Sequence, residues 1–367
     1  MSSTPRKRGL VVLGVAALVL SGTATASADP DDAGPEIIAS GLNNPRGLAF
    51  HGGDLYVAEA GAGGSGPCFQ GPEGPSCFGL SGSVTRIDED GQTRVLTGLS
   101  SFGQQGSGDA AIGPSDVAFK RGGNSMLLTV GLGLDLDFSK TIPELDDMGQ
   151  LLRARLSKGD WKTIADLADF EDANNPTGDE ENVNPNSVIS LPGRSVVSDA
   201  GANDLLQVRN SGKVRVLATF PNTDVIGPGG ATFSMDAVPT SVAKGPDGAL
   251  YVGQLTGFPF PVGGASVWRV ERGEQPELFA TGFTNIIDIA FDKKGTLYVL
   301  EIFHNGLLSG DPTGALIRVD ANGGQEIVMS DGLITPGGLA LRGDNAYVSN
   351  CGTCAGGGEV LRIPIDD

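Results

Sequence analysis

The chain has 367 residues, of which 57 are Gly and 22 Pro, and it carries a formal net charge of −19. So many turn formers beside an ordinary apolar content point to an all-β protein. An acidic body of this size is repelled by nucleic acid and anionic lipid and attracts cations, so a small molecule or a protein is the expected partner and nucleic acid is not.

The N-terminus reads as an export signal. Arg6, Lys7 and Arg8 precede the apolar run GLVVLGVAALVL (Gly9–Leu20), and Ala26-Ser27-Ala28 is a small-residue cleavage site. The run is shorter than the ~20 residues needed to span a bilayer. Residues 1–28 are therefore read as a signal peptide and 29–367 as the mature domain, secreted, monomeric and without a membrane span. Losing the three basic residues takes the charge from −19 to −22.

DLYVAEAGAGGSG, Asp54 to Gly66, looks like a strand followed by G-x-G-x-x-G at Gly61, Gly63 and Gly66. The dinucleotide fingerprint requires that turn to open a helix. Here it enters GPCFQGPEGPSCFG, a segment rich in Pro and Cys, so nucleotide binding is not expected. The four cysteines, Cys68, Cys77, Cys351 and Cys354, are an even set in an exported chain and suggest disulfides. The local pairs Cys68–Cys77 and Cys351–Cys354 are the simplest of three pairings. A C-x-x-C zinc or redox site is the alternative.

DLYVAEAG is one copy of a repeat. ALYVGQL (249–255), TLYVLEI (296–302) and AYVSNCG (346–352) match it, with SVVSDAG (195–201) and MLLTVGL (126–132) as weaker copies. Each follows a second unit: PRGLAF, PSDVAF, PNSVIS, PTSVAK, IIDIAF or PGGLAL. A third strand (SVTRI, QLLRA, DLLQV, SVWRV, ALIRV, EVLRI) and a fourth come after. Only five fourth strands follow in order; the sixth, PEIIASGL (35–42), stands at the other end of the mature chain. Repeats of four short antiparallel strands that cannot bury both faces alone specify a ring of stacked sheets. The expected fold is an all-β six-bladed β-propeller, closed by the N-terminal strand pairing in the last blade. No strong amphipathic helix is expected; DLADFEDANN (166–175) is read as one short turn at most, within an acidic, solvated loop.

In the order a to d, outward from the axis, the a–b and c–d turns are short. The b–c and d–a connections hold the extra length, all on one face, which marks that face for binding. Strand b ends on Glu59, Asp199, Gln254, Glu301 or Asn350 in five units, and strand a opens near Arg46, Asp116, Asn186 or Asp288. These groups are expected to converge on the axial channel. They either cap strand ends or build an oxygen-rich site for a divalent cation such as calcium, with Glu59, Asp116, Asn186, Asp199, Asp288 and Glu301 as its ligands. LTGFPFPVGG (255–264) presents Phe258 and Phe260 as a pocket wall or as a plug. His304, one unit later, is a candidate base or ligand. The strand-c arginines Arg86, Arg153, Arg269, Arg318 and Arg362 recur and read as packing or ion-pair residues. No G-x-S-x-G, P-loop or H-E-x-x-H is present.

NVNPNSVISLPGRSVVSDAGANDLLQV, VPTSVAKGPDGALYVGQLTGFPFPVGGASVWRV and GFTNIIDIAFDKKGTLYVLEI resemble the ScyD/ScyE family of exported bacterial proteins over essentially the whole mature chain. The resemblance implies an extracytoplasmic binding or accessory propeller for a small, aromatic metabolite. The strand pattern is also similar to NHL repeats and, more distantly, to gluconolactonase-like propellers that hold a divalent metal on the axis. That likeness implies the alternative of a metal-dependent hydrolase, lactonase or lyase; Asn186 alone matches the style of ligand. A protein-interaction platform is the third reading.

Overall fold

The computed structural model describes residues 34–365 except 72–73, 121–122, 124, 146 and 180. The export signal and its cleavage site lie outside the described residues. Pro-rich and Gly-rich turns cut the chain into strands of about six residues, and those strands pair as six antiparallel sheets around one axis. The inner strands of blades 1 to 6 are Pro45–His51, Pro114–Phe119, Pro185–Leu191, Pro239–Lys244, Ile286–Phe291 and Gly338–Arg342. Each pairs with a strand b, which ends at Glu59, Val130, Asp199, Gln254, Glu301 or Asn350.

The ring closes as the repeat requires. Glu36–Leu42 is the outer strand of blade 6 and pairs with Gly358–Pro364, with Ile37 opposite Leu361. Both faces of every blade are covered by neighbours, so strands such as SMLLTV are apolar on both sides and not alternating. The core lies between blades. Leu42, Leu48, Val57 and Val360 fill the 6–1 interface, while Phe220, Val242 and Val252 belong to the 3–4 interface. A buried Leu or Phe of this kind contributes about 1.5–3 kcal/mol. Two disulfides form, Cys68–Cys77 and Cys351–Cys354.

Three features depart from the sequence reading. Residues 166–175 are not a single turn: Leu167–Asn174 is an eight-residue helix. Asp166 caps it by accepting from the Asp169 amide, and Asn175, with φ 37°, ends it in the left-handed region. The acidic run is not wholly solvated either, since Leu167 and Glu171 are buried. In blade 1, strands c and d overrun the sheet as Gly74–Asp88 and Gly91–Gln104, and Cys68–Gly71 pairs with the extension. What reads as a b–c loop is thus a three-stranded flap standing on the loop-rich face. The strand-c arginines do make ion pairs in four blades, through Asp88, Asp247, Glu326 and Glu36. Arg153 instead buries Nε and one terminal nitrogen with no hydrogen-bond partner.

Candidate functional site

The strand-b carboxylates and amides are turned away from the axis by the hydrogen bonds they accept. Glu59 is fully buried and accepts from the Asn43 amide (2.7 Å), Ser83 (3.0 Å) and Thr85 (2.6 Å). Arg94 completes its shell with two more bonds, at 3.0 and 2.7 Å. Glu301 accepts from the Thr284 amide at 2.6 Å, Asp199 from the Asn184 amide at 2.7 Å, and Asn350 from the Ile334 amide at 2.7 Å. In these four blades the end of strand b therefore pins the connection arriving at strand a of the same blade. Gln254 is used differently, since its side-chain oxygen accepts from the Trp268 indole.

The strand-a candidates join one blade to the next. Asp116 accepts from Ser187 (2.9 Å) and the Val188 amide (2.8 Å) of blade 3, and from its own neighbour Val117 (2.7 Å). Asp288 accepts from the Leu339 amide of blade 6 (2.7 Å) and from Ile289 (2.8 Å). Asn186 donates to the Thr240 carbonyl of blade 4 at 2.7 Å. Burial pushes the Asp116 carboxyl up to about 7 despite those donors. Burial and then the charge of Asp116 push Asp288 up to about 8.

Two other acidic groups stand apart. Glu301 meets His304 Nδ1 at 2.5 Å; burial raises its pKa, and the His304 and Thr284 hydrogen bonds oppose the rise. Asp199 pairs across the b–c ladder with Asp204, beneath the helix that carries Glu171. Asp199 Oδ2, Glu171 Oε1 and both Asp204 oxygens are buried without a partner. Desolvation and mutual repulsion push Glu171 up to about 7 and Asp204 well above the carboxylate range; burial alone takes Asp199 to about 6. Among the described residues, no group of three or more His, Cys, Asp or Glu side chains is placed to hold a metal ion.

The axis opens instead on an apolar cavity of about 420 Å³ on the loop-rich face. Its floor is the second residue of strand a in five blades, Arg46, Ser115, Asn186, Thr240 and Ile287. Its wall is the residue just past strand b in the same blades, Ala60, Gly131, Ala200, Leu255 and Ile302. Phe69 and Phe102 of the blade-1 flap stand at one side and Phe303 and Leu307 at another; the two flap rings meet edge to face at 4.5 Å. Among the described residues, no lining side chain is a carboxylate, and Arg46 is the one that carries a charge. Its guanidinium donates to the Ala111 carbonyl at 2.9 Å. Of the candidate residues expected on the axis, Asn186 and Arg46 reach the cavity. Glu59, Asp116, Asp199, Gln254, Asp288, Glu301 and Asn350 do not line it, nor do Phe258, Phe260 and His304.

Phe258 and Phe260 pack elsewhere. Phe258 leans on Phe233 of the hairpin Thr223–Ile226/Thr232–Met235 at 4.9 Å and is 47% exposed. The glycine-rich loop is also accounted for within blade 1. The Ala62 and Gly63 amides donate to Ser81 and Ser101, so those donors are already used. The wall residues escape a reading of the sequence because they sit one position beyond the conspicuous carboxylates. Successive side chains on a strand point oppositely, so the parity of strand b is the signal that could have found them.

No protein-family model and no curated protein matches the sequence. The fold is similar to that of several solved structures. One is a protein of unknown function from Bacteroides thetaiotaomicron VPI-5482 (TM-score 0.56, 10% identity, 91% of this chain and 76% of that one). Another is virginiamycin B lyase from Staphylococcus aureus (0.51, 12%, 90% and 99%). A third is the PQQ-bound aldose sugar dehydrogenase from Streptomyces coelicolor (0.52, 12%, 92% and 100%). At these identities the likeness is one of fold, and the chain is a six-bladed β-propeller.

Proposed function

We propose that this protein is an exported small-molecule-binding propeller of the ScyD/ScyE type, which receives an apolar, aromatic metabolite in the axial mouth. The observation that carries this reading is the cavity of about 420 Å³, apolar around most of its wall, with a few convergent polar groups in Arg46, Asn184 and Asn186. That is the usual make-up of a small-ligand site: area for affinity and a few fixed donors and acceptors for orientation. Two disulfides suit an oxidising compartment, and no helix among the described residues is long and apolar enough to cross a membrane.

Indole, neutral and aromatic, is the probe. Calorimetry should show it saturating one site on the mature chain. Leu307→Trp, which fills part of the mouth, should weaken binding at least about tenfold, or 1.4 kcal/mol. Phe258→Ala should leave it unchanged, because that ring lies off the cavity. Saturation that survives Leu307→Trp in a variant with unaltered melting, or no saturation at all, would refute the reading.

A further inference from the structure

We propose that the cleft between blades 3 and 4, on the face opposite the axial mouth, binds a compact polyanion of the phosphate or sulfate type. The cleft encloses about 370 Å³ between the outer strands of blade 3 and the a–b and c–d turns of blade 4. Five cations line it, Arg194, Arg215, Lys244, Arg269 and Arg272, against two carboxylates, Asp247 and Glu271. Both carboxylates are engaged by one cation: Arg269 pairs with Asp247 at 2.7 Å and with Glu271 at 2.5 Å. Arg215 donates to a neutral amide oxygen, Gln207, at 2.9 Å, and makes no ion pair among the described residues. Arg194, Lys244 and Arg272 make no ion pair among the described residues. Arg194 also stands directly across the strand pair from Arg209. Like charges placed opposite one another destabilise a sheet, and neither arginine has an ion pair among the described residues.

The repeat supplies an internal control. The equivalent cleft between blades 4 and 5 has Lys294 and Arg318 against Asp320 and Glu326, a balanced set. Between blades 6 and 1, Arg342 and Arg362 face four carboxylates. Stacked blades alone therefore do not produce a surplus of cations. In a chain with 44 acidic and 25 basic residues, three excess positive charges in one cleft run against the composition. Guanidinium forks and an ammonium converging on a small concave space can engage a tetrahedral oxyanion through charge-assisted hydrogen bonds. Leu217, Leu250 and Val270 give the cleft an apolar side for the rest of a ligand. The site is independent of the axial cavity.

The test is calorimetry on the mature chain at low ionic strength, with sodium pyrophosphate, sulfate and citrate as separate probes. One site is expected for pyrophosphate or sulfate, with affinity falling as salt rises. Binding of both ions would mark a general oxyanion site, and binding of pyrophosphate alone a phosphate site. Arg194→Gln, Lys244→Gln and Arg272→Gln should each weaken binding about tenfold, and the triple variant at least about a hundredfold. The altered side chains are exposed, so melting temperatures should stay near that of the parent. Leu307→Trp at the axial mouth should have no effect on pyrophosphate. No binding of pyrophosphate or sulfate at low salt, a preference for citrate over both, or equal affinity in a folded triple variant would overturn the proposal.

Discussion

Two inner-strand carboxylates, Asp116 and Asp288, show how a residue conspicuous in sequence can serve the frame of a fold. Each reaches from one blade to a backbone amide on the inner strand of the next, beside other bonds across the seams such as that from the Ser115 hydroxyl to the Pro185 carbonyl. Desolvation, joined at Asp288 by the charge of Asp116, raises their folded pKa values to about 7 and about 8, above the unfolded value near 4. The folded state therefore holds extra protons between about pH 4 and 8, and stability decreases with rising pH across that window. Their contribution is complete below the unfolded pKa and lost as pH passes through 7 and 8. Melting temperature should fall from pH 5 to pH 8.5. Asp288→Asn should flatten that slope, although it lowers the whole curve by replacing one of two acceptors with a donor. A slope that is unchanged in this variant would show that Asp288 does not titrate there.

At the scale of the element, the closing strand Glu36–Leu42 does two jobs. It satisfies the outer edge of Gly358–Pro364 and it places Leu42, fully buried, into the interface between the last blade and the first. Leu42→Ala should cost about 2–5 kcal/mol in urea unfolding, as core truncations do. A loss below about 0.5 kcal/mol would mean that the closure is dispensable. The blade-1 flap shows a different use of strands. Strands c and d continue past the sheet, and Phe69 and Phe102 are thereby held over the axial mouth by ladder hydrogen bonds and a disulfide, not by a free loop.

Over the whole molecule, acidic residues outnumber basic ones by 44 to 25, yet the bases are not spread evenly. Five of them line the blade 3–4 cleft, while the axial cavity is nearly neutral. A chain with this excess of negative charge repels itself when compact. Raising sodium chloride from about 10 to 300 mM shortens the screening length from about 30 Å to under 8 Å. The melting temperature should rise by a few degrees over that range. A fall would mean that local ion pairs such as Arg94–Glu59 outweigh the global repulsion.

The repeat was legible in the sequence because strand period, turn residues and apolar content are local properties. PRGLAF, DLYVAE and PEIIASGL already specified strand order, blade count and the pairing that closes the ring, whereas the sequence left three cysteine pairings open and the structure selects the two local ones. Side-chain direction at the strand ends was not local. Glu59 and Glu301 look like axial ligands until the connection arriving at strand a supplies the amides that hold them within their own blades. Ala60, Ala200 and Ile302 carry no chemical signal and become the wall of the axial cavity only when six sheets share an axis. The basic cleft likewise joins residues from two blades whose charges are unremarkable one at a time. Repeating hydrophobic pattern determined the ring; which groups face its centre, its seams or solvent was decided by packing, since burial and hydrogen-bond supply exist only once the blades have assembled.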